Sequence, residues 1–169
     1  MNARAIAFSG PSNSGKTTAI VKVANILSQT YKLAIIKHDP SDKAVFDKEG
    51  KDSWKFSQTG AEVVVASPSR TTYFSKQSRD IEGIISMLGE FEILLVEGLK
   101  TLPLPRISVF RDRLDPAYFD VSDALAVDES VDLKAYDIPS HLDILDLNDP
   151  EALCAWILAH AKEVRREND

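Results

Sequence analysis

Residues 10 to 17 read Gly10-Pro11-Ser12-Asn13-Ser14-Gly15-Lys16-Thr17, the spacing G-x-x-x-x-G-K-[ST], with a further threonine at Thr18. Glycines let a backbone turn tightly, so the N–H groups from Asn13 to Thr17 point into one concavity at a helix start, where the dipole favours anions. Lys16 would then reach the β and γ phosphates of a purine nucleoside triphosphate. The Thr17 hydroxyl would ligate Mg²⁺, and Thr18 would donate to the α-phosphate. Gly10, Asn13, Ser14, Gly15, Lys16, Thr17 and Thr18 are therefore the nucleotide-binding candidates. The plainer reading, an accidental glycine-rich turn, is weakened by context, because an apolar strand precedes the motif and an amphipathic helix follows it.

Such a loop needs an acid for the metal or the attacking water, usually at the end of a neighbouring parallel strand. Glu97 follows Ile93-Leu94-Leu95-Val96 and precedes Gly98, so its carboxylate should emerge at the carboxyl edge of the sheet, where open α/β folds bind ligands. Lys37-His38-Asp39 follows another apolar run. Asp39 is the better Mg²⁺ ligand there, being a hard oxygen donor, while His38 is equally a structural hydrogen-bonding residue. Glu97 and Asp39 are the catalytic and metal candidates, alongside Thr17 for the metal. The stretch from Asp39 to Asp52, carrying Asp42 and Asp47, has the makings of a nucleotide-responsive switch, with Lys37, His38, Lys51 and Asp52 as its candidates. The plainer account makes Asp52 or Ser53 a helix N-cap.

These residues require a scaffold. Arg4 to Ser9, Leu33 to Ile36, Glu62 to Ala66, Ile93 to Val96, Ile107 to Phe110 and Ala124 to Val127 read as strands, with Asp143 to Leu145 as a short edge strand. Helical stretches begin at Lys16 and cover Ser53 to Gln58 and Ile81 to Leu88. A last helix should have Asp149 as N-cap, Pro150 at its first position and an inward stripe of Leu153, Trp156, Ile157, Ala161 and Val164 before the polar tail RREND. Apolar strands alternating with helices predict a three-layer, P-loop NTPase-like α/β fold with a mostly parallel central sheet. A single domain over 1–165 with a polar tail at 166–169 is expected.

Composition limits the alternatives. The chain has 169 residues, 44% hydrophobic and 27% charged, enough for one packed core. A net charge of −6 opposes nonspecific nucleic-acid binding, and no apolar run reaches the roughly 20 residues needed to span a bilayer, so neither nucleic acid nor membrane is an expected partner and a cytoplasmic setting follows. Three histidines and one cysteine form no zinc pattern, and no G-x-S-x-G elbow occurs. Cys154 and Trp156 read as core residues, His160 as boundary packing and Trp54 as core or interface.

Several separated motifs together resemble the molybdopterin-guanine dinucleotide biosynthesis adapter (MobB) family. They are GPSNSGKTT (Gly10 to Thr18), IIKHD (Ile35 to Asp39), DKEGKDS (Asp47 to Ser53), TGA (Thr59 to Ala61), LLVEGLK (Leu94 to Lys100) and FRD (Phe110 to Asp112). The resemblance implies GTP as nucleotide, Mg²⁺ as metal, slow intrinsic hydrolysis, a homodimer, and association with the molybdenum cofactor guanylyltransferase. Direct contact with the molybdopterin cofactor is left open. An additional histidine often found between His38 and Gly50 in that family is missing here, so no role transfers from it. No N-K-x-D guanine signature is present either, and Asp128, after the strand Ala124 to Val127, is the candidate acceptor for guanine N1 and N2.

Two other functions use the same loop. A small-molecule kinase would need an arginine-bearing lid, for which Arg106, Arg111 and Arg113 are available, although the plainer reading makes all three solvated flanks of a strand. A scaffold with a vestigial loop is opposed by the intact Lys16, Thr17 and Glu97.

Overall fold

The computed structural model describes residues 3–164; the polar tail expected at the carboxyl end lies outside the described residues. The chain forms two compact units, one made of residues 1–38 with 88–169 and the other of residues 39–87. In chain order the elements are β1 (Ala3–Ser9), α1 (Lys16–Leu27), β2 (Leu33–Lys37), α2 (Asp52–Ser57), β3 (Val63–Ser67), β4 (Arg70–Phe74), α3 (Ile81–Met87), β5 (Ile93–Glu97), β6 (Arg106–Phe110), β7 (Ala124–Val127), β8 (Asp143–Asp146), α4 (Pro150–His160) and β9 (Lys162–Val164).

The larger unit is a mostly parallel sheet flanked by helices, in the order β2-β5-β1-β6-β7-β8, with β9 added antiparallel to β1. β5 and β7 are apolar on both faces up to Glu97, and β1 and β6 bury even Ser9, Arg106 and Ser108, because both faces of these strands are covered. On one face Ile6, Phe8, Ile93, Leu95, Ile107, Val109, Ala124 and Ala126 pack with Ala19, Ile20, Val23 and Leu27 of α1 and Leu153, Cys154, Trp156 and Ile157 of α4. Each large side chain buried in this layer contributes about 1.5–3 kcal/mol. On the other face Phe110, Leu125 and Val127 meet Leu114, Phe119, Val131 and Leu142, contributed by a 3₁₀ turn at Pro116–Val121 and the adjoining loops. This layering holds the carboxyl ends of β1, β2 and β5 level: Phe8 pairs with Glu97, and Glu97 with Lys37.

The expected start of the last helix is observed, with Asp149 accepting from the Ala152 N–H at 2.9 Å and Pro150 in the first turn. Its expected end is not. The helix stops at His160, Ala161 turns extended, and Val164 belongs to β9 rather than to a helical stripe. β6 covers β1 only at Ala7–Ser9, which leaves Ala3–Ala5 open to pair with Lys162–Val164, and this ladder overrides a helical period that apolar spacing alone suggested.

The unit of residues 39–87 contains the other departure. The run expected as a central strand near Glu62 to Ala66 is β3, whose partner is the antiparallel β4, with Ser67 opposite Arg70 across the two-residue turn Pro68-Ser69. Only Val63 of β3 is buried, so this apolar run marks one arm of a hairpin and not a strand covered on both faces. In α2 the cap position is Lys51, without a side-chain cap; Asp52 is already helical and the Ser53 hydroxyl donates to Asp47 at 3.0 Å, so neither is the N-cap. Among the described residues no helix is long and apolar enough to cross a membrane.

Candidate functional site

The turn from β1 into α1 is built for close backbone approach. Gly10 has φ 134°, and a Cβ there would lie 2.3 Å from the Val109 carbonyl oxygen, so only glycine fits. Asn13 and Gly15 are also left-handed, at φ 62° and 93°, and Gly15 is the residue from which α1 opens. No side chain caps this helix and no acid sits in its first turn, so its leading N–H groups keep their partial positive charge for an external anion. The Ser14 side chain is 4% exposed and its Oγ has no hydrogen-bond partner among the described residues. A phosphate oxygen is the kind of group that would satisfy these donors. Thr17 and Thr18 are exposed on the first turn.

Lys16 folds back over the loop, its Nζ donating to the carbonyls of Gly10 at 2.9 Å and Pro11 at 2.6 Å. Burial pulls its pKa below the ordinary 10.5, Glu97 opposes that shift, and the charges of Lys37 and Lys100 add to it. Glu97 ends β5, locked from both sides by backbone bonds: His38 N–H donates to its carbonyl at 3.0 Å, and Gly98 N–H donates to Phe8 at 2.9 Å. Both carboxylate oxygens lie 3.1 Å from Lys37 Nζ. Glu97 is only 13% exposed and Lys37 61%, so the acid is fixed and the ammonium is the mobile partner. His38 is exposed, its Cβ 3.1 Å from where a side chain on Gly98 (φ 90°) would begin. Among the described residues no three His, Cys, Asp or Glu side chains converge on a metal position. Thr17 and Glu97 would thus hold Mg²⁺ only together with phosphate oxygens, the usual way this ion is bound beside nucleotides.

The opposite flank of the loop belongs to arginines. Arg106, expected among solvated residues, is instead 1% exposed: its Nη1 donates to Ser9 Oγ at 2.7 Å and Gly98 O at 2.9 Å, and its Nη2 to Leu99 O at 2.9 Å and Leu102 O at 3.3 Å. Burial lowers its pKa and Asp123, which accepts from the Arg106 N–H, opposes the shift. Arg106 thereby ties the residue before Gly10 to the segment after Glu97. The sequence does not show this, because a strand-leading arginine next to Pro105 looks like a solvated flank. Arg111, just past β6, pairs through Nε with Asp128 Oδ2 at 3.1 Å. Asp128 Oδ1 accepts from the Ser130 N–H at 3.1 Å and from the Ser130 hydroxyl, and these bonds, with Arg111, hold its carboxyl below the usual range. A cleft of about 520 Å³ lies between Pro11–Ser14 and Arg111–Pro116.

The remaining sequence candidates fall in the other unit. The Asp39 carboxylate accepts from the backbone N–H groups of Ser41 at 3.2 Å and of Lys43 and Ala44, both at 2.7 Å, closing a turn. Lys51 and Asp52 start α2, where Asp52 pairs with Lys55 at 3.7 Å. Trp54, Tyr73, Phe74 and Asp47 line a separate cavity of about 700 Å³ within this unit.

The family model described as "Molybdopterin guanine dinucleotide synthesis protein B" matches residues 5–128. A Methanocaldococcus jannaschii protein described as a candidate molybdopterin-guanine dinucleotide biosynthesis adapter protein is 32% identical over 132 residues, covering 75% of this chain and 55% of the relative. The chain therefore spans little more than half of that relative's length. The molybdopterin-guanine dinucleotide biosynthesis adapter protein of Haemophilus influenzae is 28% identical over 152 residues, 85% of this chain and 81% of its own. A crystal structure of molybdopterin-guanine biosynthesis protein B superposes with TM-score 0.69 at 25% identity over 92% of this chain and 98% of that one. Bacillus subtilis MobB, at 22% identity and TM-score 0.75 over 94% and 98%, shows the same fold.

Proposed function

Because this chain belongs to the molybdopterin guanine dinucleotide synthesis protein B family, we propose that it is a GTP-binding adapter in molybdopterin guanine dinucleotide biosynthesis, assisting the guanylyltransferase that attaches GMP to the molybdenum cofactor. The observation that carries the nucleotide part is the uncapped α1 N-terminus behind two left-handed glycines, with a buried Ser14 hydroxyl that has no partner among the described residues. In this reading the amides of Asn13 to Thr17 and the Lys16 ammonium hold the phosphates, and Thr18 reaches the α-phosphate. Thr17 and Glu97 would hold Mg²⁺, which would neutralise phosphate charge. The Glu97 carboxylate, now paired with Lys37, would serve the cation or water, leaving Lys37 available to the nucleotide. Lys37 and His38 are the residues of the larger unit that would respond to the nucleotide. Hydrolysis is slow, and the protein acts in the cytoplasm as a homodimer in the manner its family resemblance implies.

Co-purification of this protein with the guanylyltransferase, with and without GTP and Mg²⁺, tests nucleotide and partner together. Complex formation that strengthens with GTP is expected; no complex in either condition refutes the adapter role. The cleft flanked by Arg111 and Arg113 beside the loop keeps a second reading in view, a small-molecule kinase. Rapid transfer of label from the triphosphate to a metabolite would put that reading first.

A further inference from the structure

We infer that Arg111 is a phosphate-binding residue of the Gly10–Thr17 loop, supplied in cis, and that Asp128 is the positioning residue that aims it. The inference rests on the reading that this loop binds a nucleoside triphosphate. A Cβ built on Gly15 would lie 3.2 Å from Arg111 Nε, 3.3 Å from Cζ and 3.5 Å from Nη2. The guanidinium thus lies flat against the bare backbone of the residue from which α1 opens, occupying space that any side chain there would take. Gly15 has two physical reasons to be glycine: its left-handed φ of 93° and this cation.

The placement is held by the ends of two strands. Phe110, the last residue of β6, is fully buried and fixes the start of the loop. Asp112 turns the chain at φ 65° and its N–H donates to Ser130 Oγ at 2.7 Å, while Arg113 N–H donates back to Arg111 O at 2.7 Å. Ser130 in turn binds Asp128, whose remaining oxygen receives Arg111 Nε. The loops after β6 and β7 therefore clip together through Asp112, Ser130 and Asp128, and the product of the clip is one oriented guanidinium.

The ion pair with Asp128 runs through Nε, no side-chain hydrogen bond of the Arg111 terminal nitrogens occurs among the described residues, and the side chain is 42% exposed, so N–H bonds of the guanidinium are left for a phosphate oxygen pair. A purely structural ion pair at this exposure would add little to stability and would have no need to lie on the loop. Of the cations near the loop, Lys37 is shared with Glu97 and Lys100 lies 3.5 Å from the Tyr118 ring centroid. Arg111 approaches Gly15 from the β6 side, so with Lys16 it would bracket the phosphate chain. Asp128 has both oxygens engaged in this clip, which gives it a role other than reading the base.

Calorimetric titration of the full chain with GTP, GDP, GMP and xanthosine triphosphate in Mg²⁺ tests this, on wild type, Arg111→Ala, Arg111→Lys and Asp128→Asn, each first checked by thermal melting. Arg111→Ala should weaken GTP binding about tenfold or more, with a smaller loss for GMP, and Arg111→Lys should recover part of it. Asp128→Asn should weaken GTP and xanthosine triphosphate alike by a few fold. Wild-type affinity in a folded Arg111→Ala overturns the inference, as does a switch of base preference in Asp128→Asn. If wild type itself takes up no triphosphate, the nucleotide-binding reading fails instead.

Discussion

Replacing Arg106 by methionine keeps an unbranched stem and removes every donor. The guanidinium serves four acceptors at once: Ser9 Oγ and the carbonyls of Gly98, Leu99 and Leu102. A buried polar group left unpaired costs about 1–3 kcal/mol, so four would sum to roughly 4–12 kcal/mol if nothing relaxed. Two effects reduce that figure. The variant no longer has to hold a desolvated cation, and the Leu99 and Leu102 carbonyls, which lie in a loop, can turn to water. The expected loss therefore lies near the low end of that sum, about 4–5 kcal/mol. That is a large share of the 5–15 kcal/mol by which a domain is usually stable. Urea unfolding followed by circular dichroism reads it as a lower midpoint with an unchanged slope. Arg106→Lys should fall between, because three donors on one nitrogen cannot reach acceptors spread over both strand ends. A loss below about 1 kcal/mol for Arg106→Met would refute the claim that this residue braces the loop to the segment after Glu97.

Lys16→Ala should abolish measurable GTP uptake in calorimetry while leaving the far-ultraviolet spectrum and melting profile close to wild type; equal affinity would support a vestigial loop. The same lysine sets a pH dependence: its folded pKa is lowered, so the unfolded state binds more protons between that value and 10.5, and stability rises with pH across this window. Nucleotide binding needs the protonated form, so GTP affinity should decline as pH climbs through the folded value, beginning below 10.5, and Lys16→Arg should remove the decline; a flat profile in wild type would contradict it. The Cys154 thiol, buried beside the Val23 carbonyl and pushed up in pKa first by burial and then by Glu151, should resist thiol reagents in the native protein and react on addition of urea.

The loop was legible in the sequence because its chemistry is local: left-handed glycines, a lysine and a helix start are all within eight residues. The buried strands were legible for a related reason, since Ile93-Leu94-Leu95-Val96 and Ala124-Leu125-Ala126-Val127 offer no polar face to solvent. What escaped was non-local. The β9 ladder depends on β6 leaving Ala3–Ala5 uncovered, and periodicity over Leu153 to Val164 carries no trace of that edge. The β3–β4 hairpin was mistaken for a sheet strand because Val63-Val64-Val65 satisfies either role until its partner is known. The burial of Arg106 is not legible because its four acceptors come from two stretches of chain, Ser9 and residues 98–102, that meet only in the fold.

Cations approach the loop from three sides, with Lys16 inside it, Lys37 paired to Glu97 at the β5 end, and Arg111 against Gly15 from the β6 end. Each of these charges has a partner within the protein: two carbonyls for Lys16, Glu97 for Lys37 and Asp128 for Arg111. On the proposed reading a triphosphate would have to compete with these bonds, and its affinity would be the difference between the two sets. The competition is uneven. Neutral carbonyls hold Lys16 less strongly than carboxylates hold the other two cations, and Arg111 can keep Asp128 on Nε while its terminal nitrogens turn to the ligand. On that reading Lys16 and Arg111 would gain contacts at little loss, whereas Lys37 would be released only if Glu97 took another cation. Metal dependence should consequently appear in the Lys37–Glu97 pair first, so that Glu97→Gln weakens the benefit of Mg²⁺ while leaving metal-free nucleotide binding nearly intact.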